Sequence, residues 1–221
     1  MTVAIEATEL YRFYRAGEEE TRALRGVSVR VHAGELVAVV GPSGSGKSTL
    51  LACLAGLDEP DGGQVRVGGV RLSHRPERER AAIRARGIGM LLQSDNLLPH
   101  LTVAGNVDLV QHLTGRVDRS YRDRLLDELG LAARAGTPAT RLSGGEAARA
   151  GLAVALAAEP VVLLADEPTG ELDDATELRV LDLLRERARG GLAVVVVSHS
   201  PSVAGIAERR IELVDGRVTG D

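Results

Sequence analysis

A chain of 221 residues, 44% hydrophobic but only 2% aromatic, is long enough to bury a substantial core, and that core must be aliphatic. A formal charge of −4 predicts no broad basic face for nucleic acid, and the single cysteine, Cys53, excludes an intramolecular disulfide and reads as a small buried apolar residue in a reducing compartment. No run approaches the roughly eighteen apolar residues of a membrane span, and residues 1–6 do not read as a signal peptide, so the expectation is a soluble cytoplasmic chain that would reach a membrane only through another subunit.

In chain order, residues 3–10 and 26–31 alternate apolar and polar side chains, as half-buried antiparallel strands do. Residues 15–25 between them are charged, include Glu18, Glu19 and Glu20, and read as a solvated loop. An apolar strand over 35–40 then runs into a glycine-rich loop and a helix. Gly68-Gly69 between 64–67 and 70–72 signals a hairpin. Residues 75–86 predict an Arg/Glu-rich solvated helix in which Arg75 and Glu79 pair at i, i+4. Residues 87–92 read as a buried strand ending at Gln93. From 94 to 156 the texture is helical, with amphipathic stretches at 101–113 and 121–133 broken by Gly136-Thr137-Pro138. Apolar strands at 160–165 and 192–197 flank an amphipathic helix at 175–189, with Leu178, Leu181 and Leu184 on its apolar face and Gly190-Gly191 as its stop. A last hairpin at 210–214 and 217–219 turns at Asp215-Gly216. The alternation predicts an α/β chain whose mostly parallel sheet binds ligand at the carboxyl ends of its strands.

The loop after the first buried strand carries the first chemistry. Gly41, Gly46, Lys47 and Ser48 match G-x-x-x-x-G-K-[ST], a nucleotide phosphate loop. Glycines let successive N–H groups turn inward around a polyphosphate, and the following helix points its positive end at the same anion. Gly41, Ser43, Gly44, Ser45, Gly46, Lys47, Ser48 and Thr49 are the candidate ATP-binding residues. Lys47 is the only lysine in the chain; every other strong base is arginine, whose planar fork fits poorly among phosphates. At the end of the 160–165 strand stand Asp166, placed to reach Mg²⁺ with Ser48, and Glu167, placed to polarise an attacking water.

Leu142-Ser143-Gly144-Gly145-Glu146, with Gln93 and His199, completes a set whose order and spacing closely resemble the ATP-binding cassette (ABC) family over essentially the whole chain. The resemblance implies a phosphate-loop NTPase core with an N-terminal antiparallel β subdomain and an inserted α-helical subdomain: one nucleotide-binding domain over 1–221, with 1–93 and 157–221 as the core and 94–156 helical. It implies that Gln93 links Mg²⁺ and water to the helical part, that His199 senses the γ-phosphate, that Asp173 communicates across a dimer, and that Tyr14 stacks on adenine, with Tyr11 as competitor. Ser143, Gly144, Gly145 and Glu146 would face the γ-phosphate held by a second subunit. Ser143 and Glu146 also form S-x-x-E, a helix-capping box, and the two roles are compatible. Asp174 with Glu177 reads as the cap of the next helix, leaving Asp173 free. The chain departs from the common pattern at Val154 (often Arg), Glu171 (often Asn) and Ser200 (often Asp), which touches turnover and dimer contacts rather than ATP binding.

Within the family the chain is most similar to ATPase subunits of the lipoprotein-releasing and macrolide-exporting type, on residues 22–28, 48–51, 87–99 and 165–170. That resemblance implies ATP and Mg²⁺ as ligands, a homodimer of cassettes, a separate integral membrane permease docked near residues 93–107 with Leu97, Leu98 and Leu101 as candidate anchors or core residues, and a peripheral place on the cytoplasmic face. A cell-division-type signalling complex that transports nothing is the alternative; a soluble ribosome- or DNA-directed role is disfavoured.

Overall fold

In the computed structural model, which describes residues 2–16, 19–170 and 172–220, the predicted apolar runs become neighbouring strands. Along the chain, β1 (Val3–Ala16) and β2 (Glu19–His32) pair antiparallel; β3 (Leu36–Val40) leads to helix α1 (Lys47–Leu54); β4 (Gly62–Val67) and β5 (Val70–Arg71) form a hairpin; and α2 (Glu77–Gly87) precedes β6 (Ile88–Leu91). Helices α3 (Val103–Thr114), α4 (Arg119–Glu128) and α5 (Gly144–Leu156) follow consecutively. The chain then alternates through β7 (Val162–Asp166), α6 (Asp174–Arg189), β8 (Ala193–Val197), α7 (Pro201–Ile206), β9 (Arg209–Val214) and β10 (Arg217–Gly220).

Two sheets result, an antiparallel one ordered β2-β1-β4-β5 and a larger one ordered β10-β9-β3-β8-β7-β6. In the larger sheet β9, β3, β8, β7 and β6 run parallel, and only β10 is antiparallel. Both of its faces are covered, which is why β8 is an unbroken apolar run. Val37, Val39, Val195 and Val197 pack with α1 and the antiparallel sheet, while Leu36, Ala38, Val194 and Val196 pack with α5 and α6 on the other side. Cys53 is buried in the first of these cores, where burial pushes its thiol up to about 12. No helix among the described residues is long and apolar enough to cross a membrane.

Three local expectations change. Within the stretch 15–25, residues 15–16 and 19–25 are strand rather than loop: β1 and β2 pair along them as a ribbon, with Phe13 opposite Arg22 and Arg15 paired to Glu20 at 3.4 Å. The charged side chains of its exposed outer part, Arg15, Glu20 and Arg22, look like a solvated loop in sequence, although Leu24 at its base is buried; Glu18 lies outside the described residues. Leu178 is 60% exposed, so the apolar face of α6 is carried by Val180, Leu181, Leu183 and Leu184 instead. The helix expected over 121–133 ends at Glu128, because Leu129 leaves helical geometry and Gly130 turns left-handed at φ +66°, and a short 3₁₀ turn over Ala132–Arg134 follows. The Arg75–Glu79 pair forms at 2.7 Å.

Candidate nucleotide site

The carboxyl ends of β3, β7 and β8 open into one cleft of about 1020 Å³. Tyr14, Ser43, Gly44, Gly46, Lys47, Ser48, Thr49, Gln93, Asp166, Glu167 and His199 all line it, although they are drawn from five separate segments of the chain.

Its floor is the loop between β3 and α1. Gly46 caps α1 from the left-handed region (φ +102°) with no side-chain cap bond, which leaves the first N–H groups of the helix without a side-chain acceptor beside the cleft. A Cβ on Gly46 would lie 2.3 Å from the Ala23 carbonyl oxygen, whereas one on Gly44 would meet nothing within 4 Å and would project into open space. The loop is stitched from outside: the Gly216 N–H donates to Ser45 O at 3.0 Å, and the Arg25 N–H donates to Gly216 O at 2.8 Å. Lys47 is buried and its Nζ donates to the carbonyls of Gly41 and Pro42, each at 2.9 Å. Ser45 Oγ is buried without a hydrogen-bond partner.

On the opposite wall the Asp166 carboxyl is raised above its ordinary range, by burial first and by the neighbouring Glu167 charge, against the lowering effect of a bond from the Ser48 hydroxyl. A hydroxyl and a carboxylate held together with surplus negative charge form the hard-oxygen donor set that Mg²⁺ takes alongside water and phosphate. Among the described residues there is no cluster of three His, Cys, Asp or Glu, so no all-protein metal cage competes with that arrangement. The residues present therefore fit Mg²⁺ bound together with a polyphosphate.

Glu167 sits at φ +48°, uncommon for a residue with a Cβ. Its carboxylate accepts from Ser198 Oγ at 2.8 Å and the His199 N–H at 3.1 Å, and His199 Nε2 lies 3.9 Å from it. The Tyr14 hydroxyl donates to Asp58 at 2.5 Å, and the Arg12 guanidinium stands 4.7 Å over one face of the Tyr14 ring. Tyr11 lines no part of the cleft; its ring packs against Gly62.

Ser143, Gly144, Gly145, Glu146 and Asp173 are not among the cleft-lining residues. Ser143 caps α5, and its box with Glu146 is complete: Ser143 Oγ accepts from the Glu146 N–H at 3.3 Å, while Glu146 accepts from the Ser143 N–H at 3.0 Å and from Arg134 at 2.8 Å. The expected cap of α6 shifts by one residue. Asp173 is the N-cap, accepting from the Thr176 N–H at 3.0 Å, because its extended backbone aims the carboxylate at the helix start while Asp174 is already helical. Val154 packs against the core, which accounts for an apolar residue there, and Glu171 lies outside the described residues. Gln93 and Glu167 also line a neighbouring groove of about 300 Å³ with Leu92, Leu97 and Pro99, while Leu98 is exposed beside it.

Sequence reasoning missed Arg22, Arg25 and Asp215 at the cleft. Nothing local marks them, because long-range strand pairing brings them there.

Fold and cleft together define a phosphate-loop nucleotide-binding cassette. A model of the ABC transporter family matches residues 24–170, and the chain belongs to that family, carrying its ATPase cassette. It is 41% identical, over its whole length and 34% of the relative's, to macrolide export ATP-binding/permease protein MacB 1 of Yersinia pestis, and 42% identical, over 99% of the chain and 34% of the relative, to MacB of Salmonella choleraesuis. The chain thus spans about a third of the length of the curated relatives it matches. Among solved structures, the dimeric bacterial ABC transporter cassette MJ0796 superposes with a TM-score of 0.92 at 36% identity, covering 97% of this chain and 96% of that one. A post-hydrolysis state of the same cassette, bound to ADP and Pi, gives 0.90 at 36% identity with the same coverage.

Proposed function

We propose that the chain binds ATP with Mg²⁺ in this cleft, hydrolyses it, and works a membrane permease through closure and reopening of a dimer of cassettes, in an export or lipoprotein- and lipid-handling system. The observation that carries the reading is the convergence of Lys47, Ser48, Asp166, Glu167 and His199 on one cleft beside the uncapped start of α1.

The N–H groups of Gly44 and of Gly46 to Thr49 cradle the phosphates and Lys47 exchanges its carbonyl partners for β- and γ-phosphate oxygens. Ser48 and Asp166 would hold Mg²⁺, with Gln93, which lines the same cleft, as a further ligand. When bound, Mg²⁺ supplies neutralisation of charge on the β- and γ-phosphate oxygens. Glu167 accepts the proton of the attacking water, and His199 donates toward the γ-phosphate. Tyr14 offers to adenine the ring face that Arg12 leaves open.

Ser143, Gly144, Gly145 and Glu146 serve the cleft of a second copy, and Asp173 carries contact between copies; their position away from the cleft of their own chain supports this. Residues 1–93 and 157–221 act as one α/β core with 94–156 as a helical subdomain in a single nucleotide-binding domain. The groove beside Gln93 would take a permease segment, placing the chain on the cytoplasmic face of a membrane. Relatives named for both ATP binding and a permease support that partner.

Glu167→Gln tests the reading. The variant should bind ATP, lose nearly all turnover and accumulate an ATP-dependent dimer on gel filtration. Wild-type-like hydrolysis by it would overturn the mechanism.

A further inference from the structure

The loop after β7 carries Glu167 and the loop after β8 carries His199, and a single carboxylate outside the cleft holds both. Glu177 lies in the first turn of α6, and its Oε1 accepts from Thr169 Oγ1 at 3.1 Å and from Ser200 Oγ at 2.9 Å. Thr169 is buried in the Glu167 loop, and Ser200 directly follows His199.

The bonds continue beyond Glu177. The Ser200 N–H donates to Ser198 Oγ at 3.0 Å, and Ser198 Oγ donates to Glu167 Oε2 at 2.8 Å. Ser200 Oγ also accepts from the Ser202 N–H at 3.2 Å as the cap of α7. A path therefore runs from Glu167 through Ser198 and Ser200 to Glu177 and Thr169, ending in the loop where it began. Ser198 and Ser200 each donate one bond and accept another, so neither hydroxyl can turn away without breaking the path. Glu167 is held at its positive φ within this frame. Glu177 is not among the cleft-lining residues and acts on the cleft only through its neighbours.

We propose that Glu177 is a positioning residue for ATP hydrolysis, tying the His199 loop to the Glu167 loop so that the two side chains keep a fixed separation. The proposal rests on the reading of Glu167 and His199 as the hydrolytic pair. The plainer role for an acid in the first turn of a helix is to complement its dipole, and the two roles respond differently to substitution. A glutamine keeps the acceptor oxygen for Thr169 and Ser200 but loses the charge; an alanine loses both.

The test is steady-state MgATP hydrolysis with thermal unfolding measured on the same full-length samples. Glu177→Ala should lower kcat on the order of tenfold with KM for ATP little changed, as misplacement of reacting groups does, and Glu177→Gln should recover most of it. Ser200→Asp keeps a good cap on α7 but sets a second carboxylate against Glu177. It should lower kcat alone and be rescued by Glu177→Gln in the double variant. This second cycle decides the matter if Glu177→Ala does not fold. Equal kcat in wild type and Glu177→Ala, equal losses in the alanine and glutamine variants, or additive effects of Ser200→Asp and Glu177→Gln would each overturn the proposal. Glu167→Gln is run beside them. If it turns over like wild type, the underlying hydrolytic reading falls; if it is dead while Glu177→Ala is fully active, the positioning role alone falls.

Discussion

The carbonyl oxygen of Leu213 stands 2.0 Å from the point that a Cβ on Gly41 would occupy. Gly41 also sits at φ +148°, which a side chain rarely tolerates, so strand β9 and the phosphate loop can approach only through this glycine. Gly41→Ala should push the loop off β9 and destabilise the chain by about 2–4 kcal/mol through overpacking and strain. Chemical denaturation would record that loss, together with loss of ATP binding. A variant of unchanged midpoint and affinity would contradict the contact.

Lys47 is satisfied by two carbonyls of its own loop. Replacing it with alanine should weaken ATP binding by about 3 kcal/mol, roughly a hundredfold, the scale of charge-assisted bonds to phosphate. Lys47→Arg should not restore it, since the planar fork cannot stand where a compact ammonium does. Calorimetric titration with ATP reads both variants, and undiminished affinity in Lys47→Ala would remove this residue from the site.

Tyr14 is held at both ends of its function, by Asp58 at the hydroxyl and Arg12 over one ring face. Tyr14→Ala should cost about 1–3 kcal/mol of ATP affinity, whereas Tyr14→Phe keeps the stacking face and should cost less. If the two variants bind ATP alike, the ring is not the adenine platform.

The start of α5 should respond to acid. Bonds from the Ser143 N–H first and from Arg134 second hold the Glu146 carboxyl below its ordinary range. A carboxyl depressed in the folded state contributes stability that is present above its unfolded value and lost as pH falls through the folded one. The gap in Tm between wild type and Glu146→Gln should therefore be open at neutral pH and close on acidification below the usual carboxylate range. A gap that stays constant across that range would show that the charge contributes nothing.

Much of this molecule could be read before folding. Ser43, Gly44, Gly46, Lys47, Ser48, Asp166, Glu167 and His199 are each tied to a strand end by local apolar pattern, and their shared cleft follows from a parallel sheet, whereas Gly41 and Ser45 support the loop without lining it. The S-x-x-E cap was equally local. What could not be read depends on partners distant in sequence. The β1–β2 ribbon beyond Phe13 is polar on both faces and gives no period-2 signal. The choice of Asp173 over Asp174 as cap turns on one residue's backbone angle. Leu178 looks like a core residue because it shares a helical spacing with Leu181, yet among the described residues it stays 60% exposed.

The strands that complete the phosphate loop have one more implication. Leu213 closes against Gly41, and Gly216 holds Ser45, so the loop's walls come from β9 and the turn that leads into β10. During synthesis the ribosome releases residues 41–49 long before either strand exists. A nascent chain at that stage carries the phosphate-binding letters without the walls that hold them in place.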